Sequence, residues 1–119
     1  MKARLPMITA AHKKRKAALE AELARVLPLL IDEYGAEKVI IFGSLATGEI
    51  GEWSDIDLVV IKKTRKKFFD RLDDVITLTD PHVGIDFFVY TPVEFAALCE
   101  KRRFFREEVL AKGRVIYGR

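Results

Sequence analysis

Lys38-Val39-Ile40-Ile41-Phe42-Gly43-Ser44 is followed, after ten residues, by Asp55-Ile56-Asp57-Leu58-Val59-Val60-Ile61. Both apolar runs are short and rich in β-branched residues, which predicts two buried strands rather than a helix. The first run ends on a Gly-Ser pair, a turn signal. The second starts with two carboxylates. On a strand, side chains two apart point the same way, so Asp55 and Asp57 are predicted to share a face. Aspartate is disfavoured in strands, and a buried carboxylate without a partner must neutralise itself or destabilise the fold. Holding a divalent cation for phosphoryl or nucleotidyl transfer is one of the few tasks that calls for such a pair.

A third apolar run, Val83 to Tyr90, places Asp86 between Ile85 and Phe87-Phe88-Val89. If this strand pairs beside the second, Asp86 joins the other two. Three neighbouring carboxylates repel, and without a cation at least one should hold a proton. Mg²⁺ takes oxygen ligands and reverses that preference. Two such ions would clamp the attacking oxygen and the leaving pyrophosphate of an in-line displacement. The plainer alternative is that these aspartates cap turns. It suits Asp55, which follows Ser54, and suits Asp57 and Asp86 poorly. Gly43 allows a sharp bend and close approach of a phosphate. Ser44 adds a hydroxyl and an N–H, and N–H groups of a following helical turn would strengthen an anion site. A Gly-Ser pair alone is only a turn; its weight here comes from its spacing to Asp55 and Asp57.

Around this centre, Leu19, Leu23, Val26, Leu27, Leu30 and Tyr34 fall on one face of a helix expected from Lys13 to Tyr34. Pro28 is expected to kink it and Gly35 to end it. Residues 1–10 read as a loose lead-in, and residues 45–54 hold a helical turn at most. A helix from about Thr64 to Thr77 should face Phe68, Leu72, Val75 and Ile76 inward. Asp80-Pro81 marks a turn. Thr91-Pro92-Val93-Glu94 combines an N-cap, a proline at the first helical position and a capping-box glutamate. A short helix from Phe104 to Ala111 ends at Gly113, and Arg114 to Tyr117 reads as an edge strand. The fold class is therefore α/β (α+β): a single domain, 1–119, with a mixed sheet of three to four strands and helices packed against it.

Several features allow two readings. The basic run Lys62 to Lys67 is a solvated surface or a contact for triphosphate, an acidic partner or RNA. His12 to Lys16 reads as a solvated helix start. Trp53 packs near the carboxylates or stacks on a base. Phe95, Leu98, Phe104 and Phe105 belong to the core or to a partner surface. His12 and His82 lack zinc-ligand spacing. The net charge of +3 does not by itself call for nucleic acid. The single cysteine, Cys99, excludes an internal disulfide and fits a reducing cytoplasm. No stretch reads as a membrane span or an export signal.

Gly43-Ser44, ten residues, Asp55-Ile56-Asp57 and the later Asp86 resemble the pattern of minimal nucleotidyltransferases in the DNA polymerase β-like superfamily. The resemblance runs from about Ala36 to Tyr117 and includes the closing Gly113-Arg114-Val115-Ile116-Tyr117. It implies the polymerase β-like nucleotidyltransferase fold, with a nucleoside monophosphate moved from a triphosphate, ATP foremost, to a hydroxyl. Asp55, Asp57 and Asp86 would hold two Mg²⁺ ions, Asp86 would help deprotonate the acceptor, and Gly43 and Ser44 would seat the triphosphate. Many small members act as antitoxins that adenylylate a HEPN-type ribonuclease toxin, so such a toxin is the expected partner. A homo-oligomer is compatible with this reading. Relatives often carry arginines just after the Gly-Ser, where this chain has Leu45 and Thr47. A binding-only antitoxin with a vestigial site, and transfer to a small molecule or RNA, are the competing functions.

Overall fold

A computed structural model describes residues 10–118. The expected lead-in lies outside the described residues except for Ala10, which already begins a helix. Helix α1 spans Ala10–Pro28 and continues as a π-helical segment, Leu29–Tyr34. The kink expected at Pro28 thus takes the form of a change in helix type. Proline offers no N–H and its ring crowds the preceding turn, and the wider turn begins directly after it. Gly35 ends the segment in a left-handed conformation.

The remaining elements are β1 (Lys38–Phe42), α2 (Ser44–Thr47), β2 (Ile56–Ile61), α3 (Phe68–Thr79), β3 (Ile85–Tyr90), α4 (Pro92–Lys101), a second π-helical segment (Phe105–Ala111) and β4 (Arg114–Tyr117). They form one four-stranded sheet in the order β3-β2-β1-β4. β1 runs antiparallel to both β2 and β4, and β2 runs parallel to β3. The sheet is mixed, as expected, and lies between two helical layers.

Alternation along the strands assigns the faces. Val39, Ile41, Leu58, Val60, Phe87 and Val89 pack with Leu19, Val26 and Leu30 of the first helical run and Val75 of α3. Ile40, Phe42, Val59 and Ile61 pack with Phe95 of α4 and with Phe105 and Val109 of the second π-helical segment. By the same parity, Asp57 and Asp86 belong to the second face. The capping box at Thr91 and Glu94 forms as expected. Glu94 also receives two hydrogen bonds from buried Arg71, whose Nε donates to the Lys66 carbonyl. This joins the start of α3 to the start of α4.

Two expectations fail around α3. The helix starts at Phe68, not Thr64, so the basic run is a loop with Lys67 as its extended cap residue. Cations at a helix N-terminus oppose the helix dipole, and the loop is tied down by other partners. Lys62 Nζ donates to the Tyr34 carbonyl and sits over the Tyr34 ring, the Lys63 N–H donates to Glu37, and Lys66 pairs with Asp74. Ile76, expected to face inward, is exposed. Val75 and Thr79 define the buried stripe, and Ile76 lies about 100° further round the helix. Among the described residues no helix is long and apolar enough to cross a membrane.

Candidate active site

β1 leaves the sheet through Gly43, whose φ of 74° and ψ of −155° lie in a region open essentially only to glycine. A second demand falls on the same residue. A Cβ at position 43 would lie 2.2 Å from Asp57 Oδ2. Gly43 therefore makes the turn and also leaves room for a carboxylate. Ser44 begins α2, a single turn. The Ala46 and Thr47 N–H groups both donate to the Gly43 carbonyl, so they are not available to an anion as the sequence reading anticipated.

Phe42, Asp57 and Asp86 form one row across β1, β2 and β3. Asp57 is half-buried, and its carboxyl is pushed up to about 6. Burial is the largest cause; the charge of Asp86, a hydrogen bond with it, and the charge of Asp55 add to the effect. Asp86 is exposed, because β3 is an edge strand. Its position between apolar residues suggested burial; the open flank of the sheet explains the difference.

Asp55 differs from this pair in its partners. It precedes β2 instead of opening it. Its Oδ1 accepts a hydrogen bond of 3.0 Å from Arg15 Nη2, while Arg15 Nε donates to the Ser54 carbonyl at 2.7 Å. Beneath it lies Gly84, where a Cβ would fall 2.3 Å from Asp55 Oδ1. The Ile56 N–H donates to the Gly84 carbonyl and holds the two segments side by side. Each outer turn thus carries a glycine against which a carboxylate rests. Among the described residues no three metal-ligating side chains are gathered closely enough to hold an ion in this arrangement. The Asp57–Asp86 pair fits a hard cation in its donor chemistry, since Mg²⁺ takes carboxylate oxygens and few ligands from protein. Trp53 is 86% exposed, so it does not pack near the carboxylates.

Residues 13–119 match the family described as Polymerase beta, Nucleotidyltransferase. The chain belongs to this nucleotidyltransferase family. A crystal structure of a candidate nucleotidyltransferase from Sulfolobus solfataricus shares the fold, with a TM-score of 0.68 and 18% identity over 98% of this chain and 94% of that one. No curated protein matches the chain.

Two residues beside these carboxylates were not expected there: Gly84, and Arg15, which was expected in a solvated helix start and is instead largely covered and bonded to Ser54 and Asp55. Gly84 carried no signal, because it fell inside the run Val83 to Tyr90 expected as a strand, which begins only at Ile85. Arg15 did carry one. Arg15, Leu19, Glu22 and Val26 recur at helical spacing, which sets two charges on the buried stripe of α1. Gly84→Ala is expected to displace Asp55 and to lower transfer by about 10- to 100-fold, the scale of an ångström-sized misplacement. Its melting temperature should fall far less than its activity. Wild-type transfer rates in Gly84→Ala would show that Asp55 can yield without consequence.

Proposed function

We propose that this chain is a Mg²⁺-dependent nucleotidyltransferase that moves AMP from ATP to a hydroxyl of a partner protein, as antitoxin to a HEPN-type ribonuclease toxin. The observation that carries the reading is the in-register Asp57–Asp86 pair, with Asp57 lodged against Gly43 at the turn into Ser44. Family membership supports the reaction class; the choice of a protein acceptor and of ATP rests on the resemblance to minimal nucleotidyltransferases.

Asp57 and Asp86, joined by Asp55, are the residues that would hold Mg²⁺, with two ions the expected number. When bound, Mg²⁺ supplies charge that stabilises the phosphoryl oxygens and the departing pyrophosphate. Asp86 is exposed at the sheet edge, where a hydroxyl of a large acceptor can reach it, and it takes the hydroxyl proton. The acceptor oxygen then bonds to the α-phosphorus as the bond from that phosphorus to the bridging oxygen breaks, and pyrophosphate leaves with that oxygen. Gly43 and Ser44 seat the triphosphate beside Asp57, through the turn at the glycine and the serine hydroxyl.

The test is intact mass spectrometry of the chain with the product of its neighbouring gene, Mg²⁺ and each nucleoside triphosphate in turn. A nucleoside monophosphate added to the partner, and absent with Asp57→Ala, is the expected result. A binding-only antitoxin is the second reading, favoured by neutral Leu45 and Thr47 after the Gly-Ser turn. A stable complex with no mass change would select it. Modification of an RNA end or a small hydroxyl compound alone would move the acceptor away from protein.

A further inference from the structure

The segment that links β1 to β2, from Gly43 to Ser54, contains no lysine or arginine and carries Glu49 and Glu52. Three aspartates complete a strongly acidic neighbourhood. A triphosphate brings several negative charges of its own, and charge neutralisation governs its affinity. A cation from elsewhere in the chain is needed near the phosphates. Lys16 and Arg114 line a cavity beside the α2 turn, on the side of Leu45 and Thr47, and only Arg15, among the described residues, is bonded to one of the three aspartates. Arg15 lies about 40 residues away in sequence, yet it is bonded to Ser54 and Asp55.

We infer that Arg15 is the triphosphate-binding cation of this site. The inference rests on the nucleotidyltransferase reading above. The two hydrogen bonds of Arg15 differ in character. Nε donates to the Ser54 carbonyl, a backbone group fixed by the loop. Leu19, one helical turn further along α1, is fully buried and holds the helix in place. The contact of Nη2 is with Asp55, whose side chain is 47% exposed, so this ion pair is open to solvent and easily exchanged. The guanidinium is planar, always charged and suited to paired phosphate oxygens. Arg15 can therefore keep its bond to Ser54 as a hinge and turn its outer nitrogens from the Asp55 carboxylate to phosphate. The same movement frees Asp55 to act as a ligand.

The experiment measures binding of ATP and of AMP to the isolated chain by calorimetry, with Mg²⁺ and no acceptor. The variants are Arg15→Ala, Arg15→Lys and a charge control, Lys13→Ala, on the exposed side of the same helix. Losing a charge-assisted hydrogen-bond donor should weaken ATP binding by about 10- to 100-fold in Arg15→Ala. AMP, which lacks the outer phosphates, should bind wild type and variant alike. Arg15→Lys should recover part of the ATP affinity, and Lys13→Ala should change neither ligand appreciably. Equal ATP affinity in wild type and Arg15→Ala would overturn the inference. So would a parallel loss for ATP and AMP, which would make Arg15 a structural residue. If Arg15→Ala does not fold, the Arg15→Lys ratio of ATP to AMP affinity decides: an unchanged ratio overturns it. Failure of the wild-type chain to bind ATP would instead bring down the nucleotidyltransferase reading, and this inference with it.

Discussion

Asp57→Asn is expected to abolish transfer while raising the melting temperature above pH 6. The two effects share one origin. Asp57 is half-buried beside Asp86, and its carboxyl titrates near 6 instead of 3.8. At low pH the carboxyl is protonated in both the folded and the unfolded chain, so it adds no bias. Between 3.8 and about 6 the folded protein keeps a proton that the unfolded chain has released. Stability contributed at this position therefore falls as pH rises through that window, and stays lost above it. Asparagine keeps the shape without the charge. Allowing for solvent around the group, the gain should be about 1 kcal/mol, or roughly 3–6 °C in melting temperature, at about pH 8. It should vanish at about pH 4. Calorimetric scans at both pH values, run beside the mass assay, test the pair of outcomes. Equal melting temperatures at the higher pH would show that the carboxylate pair does not burden the fold.

That burden also says how much of the site could be read from the sequence. Asp57 and Asp86 were visible because aspartate is out of place among Val, Ile and Phe on strands, and the alternation that set their common face is local. Their pairing was only conditional. It depends on β2 and β3 lying side by side and parallel, which no local pattern encodes. Gly43 was legible as a turn, but its second role, making room for Asp57 Oδ2, is a contact across strands. Asp55 was expected to stand with the other two. It lies close enough for its charge to act on Asp57, but it is also paired with Arg15, an interaction that spans 40 positions in sequence. The strand boundaries were close to those expected because buried apolar runs have clear ends. The start of α3 was missed because the basic run before it has tertiary partners, Tyr34, Glu37 and Asp74, that its own composition does not reveal.

Glu22→Ala should produce the largest loss of stability. Glu22 lies on the buried stripe of α1 with its side chain only 4% exposed. Its carboxylate accepts from Arg25 Nε at 2.8 Å, from Arg25 Nη2 at 3.1 Å, and from the backbone N–H groups of His82 and Val83. Arg25 in turn donates to the carbonyls of Thr79 and Asp80. Helix α1 thereby holds the turn between α3 and β3, in which Asp80 adopts a strained left-handed conformation. Alanine would leave the His82 and Val83 N–H groups without their acceptor and remove the carboxylate partner of Arg25. Arg25 is partly exposed and keeps its carbonyl acceptors, so the cost is that of the unsatisfied N–H groups and the lost charge-assisted bonds, about 1–3 kcal/mol. For a domain of this length that lowers the melting temperature by on the order of 5–15 °C. The Arg25 hydrogen bond, against the opposing effect of burial, holds the Glu22 carboxyl at about 2. Its stabilising effect is therefore complete above the ordinary value of 4.5 and is lost as pH falls towards 2. Glu22→Gln should remove that acid-sensitive component, which urea titrations across the same pH range would detect. The turn leads directly to Gly84, the seat of Asp55, and to Asp86 on β3. Loss of the clamp should therefore reduce transfer even at temperatures where the variant stays folded. A Glu22→Ala protein that melts within a few degrees of wild type would show that the α3–β3 turn holds its shape without α1, and the site would then owe its geometry to the sheet alone.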